Sequence, residues 1–155
     1  MTIQISHNET VKATPENVWA LWSDMSTWSE WDHGIDWCRL KAGHKFQKNG
    51  EASLKPTGTP LPLDIRIIEC TPNKSFTDEG KFDLGTIQFF HEVIPQKEGV
   101  KITHTLTYTP KNPAVAEIFN KQMLPKLKKE LPESVKTLAK MAKELSTKKV
   151  APALK

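Results

Sequence analysis

The sequence predicts an α+β fold in which an antiparallel sheet of about seven strands packs against one long C-terminal helix. Three observations carry this. From residue 35 to about residue 109, short segments of alternating apolar and polar residues follow one another with turn residues between them and no helical period, which is the pattern of an antiparallel meander. One further strand, residues 2–12, precedes two short helical segments. From Asn112 onward the apolar residues recur at steps of three and four as far as Leu145.

The elements follow in order. After the first strand, Thr14 can cap a helix and Pro15 suits its first position, with Val18, Trp19, Leu21 and Trp22 on one bulky face. Asp24 to Trp28 reads as a turn into a second short helix that ends near Trp31-Asp32, before Gly34. Strands are expected near 35–42, 50–56, 62–70, 74–82, 85–94 and 99–109, separated by turn residues such as Asn49-Gly50, Pro72-Asn73 and Asp83-Leu84-Gly85. Asn112-Pro113 is a second cap followed by proline. Val115, Ile118, Phe119, Met123, Leu127, Leu131, Val135, Leu138, Met141 and Leu145 then form a single apolar stripe. Pro125 and Pro132 each remove a backbone donor, so a short helix before Pro125 and a long one after it are expected, with a break or kink at each proline. No repeat or linker interrupts the chain, which predicts one domain over 1–146 and a flexible tail over 147–155.

Composition narrows the function classes. The 155 residues carry 37% hydrophobic and 26% charged side chains, ordinary for a soluble domain able to bury a core. The opening MTIQISHNET has no signal-peptide pattern, and no run of about 18 apolar residues exists, so a cytoplasmic protein without stable membrane insertion is expected. Cys38 and Cys70 are then expected to be reduced thiols. Ten lysines from Lys121 onward face only three glutamates, making the last third basic. With no arginine or aromatic residue interleaved among them, this reads as a solvated helix face rather than a nucleic-acid surface. Glycine-rich phosphate loops, the serine-nucleophile elbow and the His-Glu-x-x-His motif are absent, so no cofactor and no metal are expected.

Strand alternation sorts the faces. Val100, Ile102, His104, Leu106 and Tyr108 share one side of the last strand, opposite Lys101, Thr103, Thr105 and Thr107. Ile87, Phe89, His91 and Val93 form the inward row of the strand before. Phe76, Asp78, Gly80 and Phe82 point inward from the strand before that, and Leu63, Ile65 and Ile67 do so from the next. Three polar side chains, Asp78, His91 and His104, thus stand on an otherwise apolar face. If Val93 opposes Ile102, His91 opposes His104; if Phe82 opposes Ile87, Asp78 opposes His91; a two-residue slip makes either pair diagonal. These residues could be ordinary buried polar groups satisfied by hydrogen bonds. They could instead orient a ligand carbonyl or hydroxyl, act as acid and base with Asp78 fixing a tautomer, or form a two-histidine, one-carboxylate metal triad, which no ligand spacing supports. The five tryptophans between Trp19 and Trp37 are expected to pack the short helices on the sheet, with one or two at a pocket mouth.

Several segments together resemble the polyketide cyclase/dehydrase-like branch of the SRPBCC (START-like) superfamily. They are Ala13-Thr14-Pro15-Glu16-Asn17-Val18-Trp19, Asp24 followed by Trp31-Asp32, Phe46-Gln47-Lys48-Asn49-Gly50, Ile68-Glu69-Cys70-Thr71-Pro72, Gly99-Val100-Lys101-Ile102-Thr103-His104 and Leu138-Ala139-Lys140. Asp32-His33 stands where the family usually has Asp-Pro. The resemblance implies the helix-grip fold, a curved sheet wrapped around the long helix with a largely apolar cavity between them. Trp19, Trp31, Ile65, Ile67, Phe76, Phe89, His91, Ile102, His104, Leu106, Tyr108, Leu131, Val135 and Leu138 would then line a ligand site. The superfamily includes hydrophobic-ligand carriers, cyclases and chaperone co-factors, so the resemblance leaves three functions open. These are binding of a lipid, isoprenoid or aromatic polyketide; a cyclase or dehydrase using His91, His104 and Asp78; and a role with a protein partner.

Overall fold

The alternating segments become strands and the three-and-four period becomes helix. In the computed structural model, which describes residues 2–148, β1 (Ile3–Val11) leads to α1 (Pro15–Ser23), a 3-10 turn (Met25–Thr27) and α2 (Trp28–Trp31). Then come β2 (Ile35–Leu40), β3 (Glu51–Pro56), β4 (Leu63–Thr71), β5 (Ser75–Phe82), β6 (Gly85–Gln96) and β7 (Gly99–Pro110). Helices α3 (Pro113–Gln122) and α4 (Leu124–Lys148) follow. The strands form one antiparallel sheet in the order β1-β7-β6-β5-β4-β3-β2, and it curls into a half-barrel around α4. Strands β2 to β7 each pair with their neighbour in sequence, while α1 and α2 carry the chain from one sheet edge, β1, to the other, β2.

The expected caps form. Thr14 Oγ1 accepts from the Asn17 N–H at 3.1 Å, and Asn112 Oδ1 accepts from the Val115 N–H at 3.0 Å. Helix α4 begins at Leu124, so Pro125 sits in the first turn, where its missing donor costs nothing. Pro132, however, lies inside α4 without ending it. A helix-interior proline costs about 3 kcal/mol. The same stretch buries Leu131, Val135 and Leu138, each contributing roughly 1.5–3 kcal/mol, so packing outweighs the lost bond. The helix also includes residues 147 and 148, the start of the expected tail; residues 149–155 lie outside the described residues.

Two bulges adjust the faces. One falls between Ile67 and Glu69 in β4, the other between Ile35 and Trp37 in β2. The second places Trp37 beside Lys55, on the strand side away from Cys38 and Leu54, and Arg39 lies over its ring at 4.2 Å. Trp37 therefore does not join the other tryptophans in packing the short helices: the extra residue at the bulge reverses its side, which alternation alone cannot foresee. Trp22, Trp28 and Trp31 are almost wholly buried, and Trp19 packs beside them.

Candidate functional site

His91 in β6 and His104 in β7 are register partners, as are Val93 and Ile102. Their side chains follow the inward rows of both strands, and they are 4% and 2% exposed. The ring centroids lie 4.6 Å apart with the planes at 71°. His91 Nδ1 is 3.3 Å from the Phe76 carbonyl, which can only accept, so Nδ1 carries the proton and Nε2 is left with its lone pair. The indole N–H of Trp22 donates to His104 Nε2 at 3.3 Å, so on this ring the proton belongs to Nδ1. Burial lowers His91 to about 3, against the opposing pull of the Phe76 and Phe89 carbonyls. Burial, then repulsion from His91 and His7, drives His104 well below the ordinary histidine range. Both rings are neutral at pH 7.

Asp78 is 3% exposed and its partner in β6 is Phe89, while Phe76 faces His91. Of the two registers left open by the sequence, the slipped one forms: Phe82 pairs with Gly85 rather than Ile87, because the tight turn at Asp83-Leu84 closes the hairpin earlier. Asp78 is a diagonal neighbour of His91. Phe76 takes the direct position and stacks on the imidazole at 3.9 Å and 5°. Burial, with added repulsion from Asp32, pushes the Asp78 carboxyl up to about 8, so it too is neutral at pH 7. Asp32 accepts from the Gly34 N–H at 2.8 Å and is raised to about 6, chiefly by burial. Burial also lifts the Cys38 thiol far above its normal range, making it an inert core residue.

His7 is a residue that the polar row from Asp78 to His104 leaves out. It is the β1 partner of His104, and its Nε2 lies 2.5 Å from Glu9 Oε2. Three histidines thus occupy adjacent positions on β6, β7 and β1, grading from buried His91 and His104 to half-buried His7. The signal for His7 is the alternation of Ile3, Ile5 and His7 in β1; Glu9 in the same row blurs it. Among the described residues, no group of three or more His, Cys, Asp or Glu side chains is arranged to hold a metal ion.

The residues expected to line one cavity fall into two packed groups. Trp31, Ile65, Ile67, Phe76, Ile102, Val135 and Leu138 join the tryptophan end, with Trp19 half-buried against it. Leu106 and Tyr108 join a second group under α3, with Phe89 half-buried beside them; Tyr108 stacks on Phe119 at 3.6 Å and donates to the Leu84 carbonyl at 2.6 Å. Leu131 is also buried. Rings from α1 and α2 fill the first end: Trp22 meets Phe76 at 5.5 Å and His91 at 5.8 Å, and Trp28 meets Phe76 at 5.8 Å. Leu63 and Phe89 lie in inward rows and Leu127 in the apolar stripe of α4, yet all three are only half-buried. Two open depressions lie elsewhere, one bordered by Lys74, Ser75 and Glu92, the other by Lys12, Lys97 and Lys143.

The family model for polyketide cyclase / dehydrase and lipid transport matches residues 2–145, nearly the whole described chain. The chain belongs to this family. Among the curated proteins, none matches the sequence. Solved structures share the fold. The di-domain ARO/CYC StfQ from the steffimycin biosynthetic pathway superposes with a TM-score of 0.71 at 13% identity, over 97% of this chain and 52% of StfQ. This family member thus spans about half the length of that relative. The protein TTHA0849 from Thermus thermophilus gives 0.72 at 14% identity, over 93% of this chain and 99% of that one. Norcoclaurine synthase from Thalictrum flavum, in complex with dopamine and hydroxybenzaldehyde, gives 0.68 at 14% identity, over 93% and 88%. Membership places the chain among proteins of hydrophobic-ligand binding or cyclase activity. No helix of the described residues is long and apolar enough to cross a membrane.

Proposed function

We propose that this family member binds a small hydrophobic or amphipathic molecule, such as a lipid, isoprenoid or aromatic polyketide, inside the grip, with the ligand's polar group at the His91–His104 pair. One observation carries the reading: two neutral imidazoles are buried in an apolar interior, and each commits one nitrogen to the protein while keeping the other. Beside them, with its ring 5.6 Å from His104, Trp31 holds the one fully buried side-chain polar atom among the described residues that has no partner, its indole N–H, and such capacity is costly unless something uses it. The incomplete burial of Leu63, Phe89 and Leu127, all on inward-facing rows, supports the reading that apolar surface is left for a ligand to cover.

A cyclase or dehydrase reading is favoured by the ARO/CYC likeness and by Asp78, which keeps its proton at pH 7 and could donate it. The same burial weighs against it. A histidine held near 3 is a poor base at neutral pH, and acid–base catalysis is best served by groups that titrate near the working pH. Ligand binding is the better supported of the two.

Native mass spectrometry of freshly purified protein tests the proposal. Expected is a retained apolar molecule, or one taken up from a panel of lipids, prenyl alcohols and aromatic polyketides. Loss of uptake is expected when His91 and His104 are both replaced by phenylalanine. A protein that takes up nothing from the panel overturns the reading.

A further inference from the structure

We infer that the polar group recognised in the grip is an uncharged hydroxyl, so the ligand is a hydrophobic phenol or alcohol rather than an acid or phosphate. The inference rests on the ligand-binding reading above and deepens it.

The hydrogen-bonding partners of the two rings are the starting point. Trp22 can only donate, so it occupies the acceptor nitrogen of His104 and leaves the Nδ1–H as a donor. The Phe76 carbonyl can only accept, so it occupies the donor nitrogen of His91 and leaves Nε2 as an acceptor. The adjacent rings, 4.6 Å apart, therefore offer one donor and one acceptor. A hydroxyl complements both at once, because its O–H donates to His91 while its lone pair accepts from His104. A ketone or ether satisfies only the donor, and an ammonium only the acceptor.

Charge argues the same way. Among the described residues the buried polar ones are Asn17, Asp78, His91, His104 and Ser134, with no lysine or arginine. Both arginines lie on the exterior, Arg39 over Trp37 and Arg66 bonded to Asn49. A carboxylate or phosphate drawn into the grip would lose its hydration and meet no buried cation among the described residues, and an unpaired buried charge is strongly unfavourable. Asp78 on the neighbouring strand adds only a carboxyl, which repels an anion when ionised. A protein built to carry fatty acids or phospholipid headgroups on this pair would need a cation beside it.

Isothermal titration of the full-length protein with three matched probes tests this: para-hexylphenol, its methyl ether and para-hexylbenzoate. The phenol is expected to bind about tenfold or more tightly than the other two, as loss of one or two buried hydrogen bonds dictates. His91→Phe, which keeps a ring against Phe76 but removes the acceptor, should bring the phenol and its ether to within about twofold. Circular dichroism and thermal melting check that this variant folds; the wild-type series stands without it. An ether or benzoate that binds as tightly as the phenol overturns the hydroxyl inference and leaves hydrophobic binding intact. If none of the three binds while the panel of lipids, prenyl alcohols and aromatic polyketides is taken up, the hydroxyl inference alone falls; if that panel fails too, the ligand-binding reading falls with it.

Discussion

His91 and Phe76 sit opposite each other on β6 and β5, their rings stacked at 3.9 Å and 5°, while the Phe76 carbonyl meets His91 Nδ1. One residue thus covers the face of the imidazole and fixes its tautomer. This pairing makes His91 a neutral group locked in place rather than a mobile base.

Protonating His91 should weaken the fold. Its folded value is near 3, whereas an unfolded histidine titrates near 6.5. Below 6.5 the unfolded chain takes up a proton that the folded one refuses, so His91's contribution to stability is lost as the pH falls from about 6.5 toward about 3. His91→Phe should show a shallower decline in urea midpoint between about pH 7 and about pH 5 than the wild type. Parallel declines would contradict the buried, neutral assignment.

Asp78 acts in the opposite sense. Its folded value near 8 lies above the ordinary aspartate value, so between about pH 4 and about pH 8 the folded state keeps a proton that the unfolded chain has released. Asp78 therefore destabilises the fold progressively as the pH rises through that window. Asp78→Asn should raise the melting midpoint by about 5 °C or more at about pH 8, with little change near pH 4. An equal shift at both values would point to packing instead.

Trp22 should couple stability to the His104 tautomer. Trp22→Phe removes the donor to His104 Nε2 and part of the ring packed on Phe76 and His91. A loss of roughly 2–3 kcal/mol is expected from the cavity and the missing bond together, measured by urea unfolding. Nitrogen-15 spectra of the histidines should then show His104 exchanging between tautomers, where the wild type shows one.

Pro132→Ala should stabilise the protein by about 1–3 kcal/mol, because alanine restores an interior helix hydrogen bond. Chemical denaturation checks the direction. A destabilised variant would mean that α4 requires the geometry the proline imposes.

Removing everything from Leu131 onward should leave insoluble protein. The deleted segment holds Leu131, Val135, Leu138 and Ala142, all buried, and its loss would bare the sheet's apolar face. A soluble truncated form with a sharp thermal transition would be incompatible with a sheet that depends on α4.

Much of this architecture was legible in the residues. Turn residues between alternating segments set the strand boundaries to within a residue or two, and the caps at Thr14 and Asn112 form as read. The facing of His91 and His104 followed from the apolar rows of β6 and β7, since a one-residue shift would expose Ile102 and Leu106. The resemblance to polyketide cyclase / dehydrase-like proteins agreed with the family match.

Outside the β2 bulge, the sequence by itself determined which rows face inward, because period and burial act locally: each strand must turn its apolar side to the helix whatever its neighbours do. It did not determine what meets what. The hairpin at Asp83-Leu84 moved Asp78 away from direct opposition to His91, the β2 bulge turned Trp37 outward, and packing across the sheet kept α4 helical through Pro132. His7 joined the histidine row only through pairing with a strand almost a hundred residues away. Likewise, the neutral tautomers of His91 and His104 come from Phe76 and Trp22, whose contacts exist only once β5, β6, β7 and α1 are assembled. Register, bulges and hydrogen-bond partners are decided between elements distant in sequence, where the energy of the whole packed core outweighs any local preference.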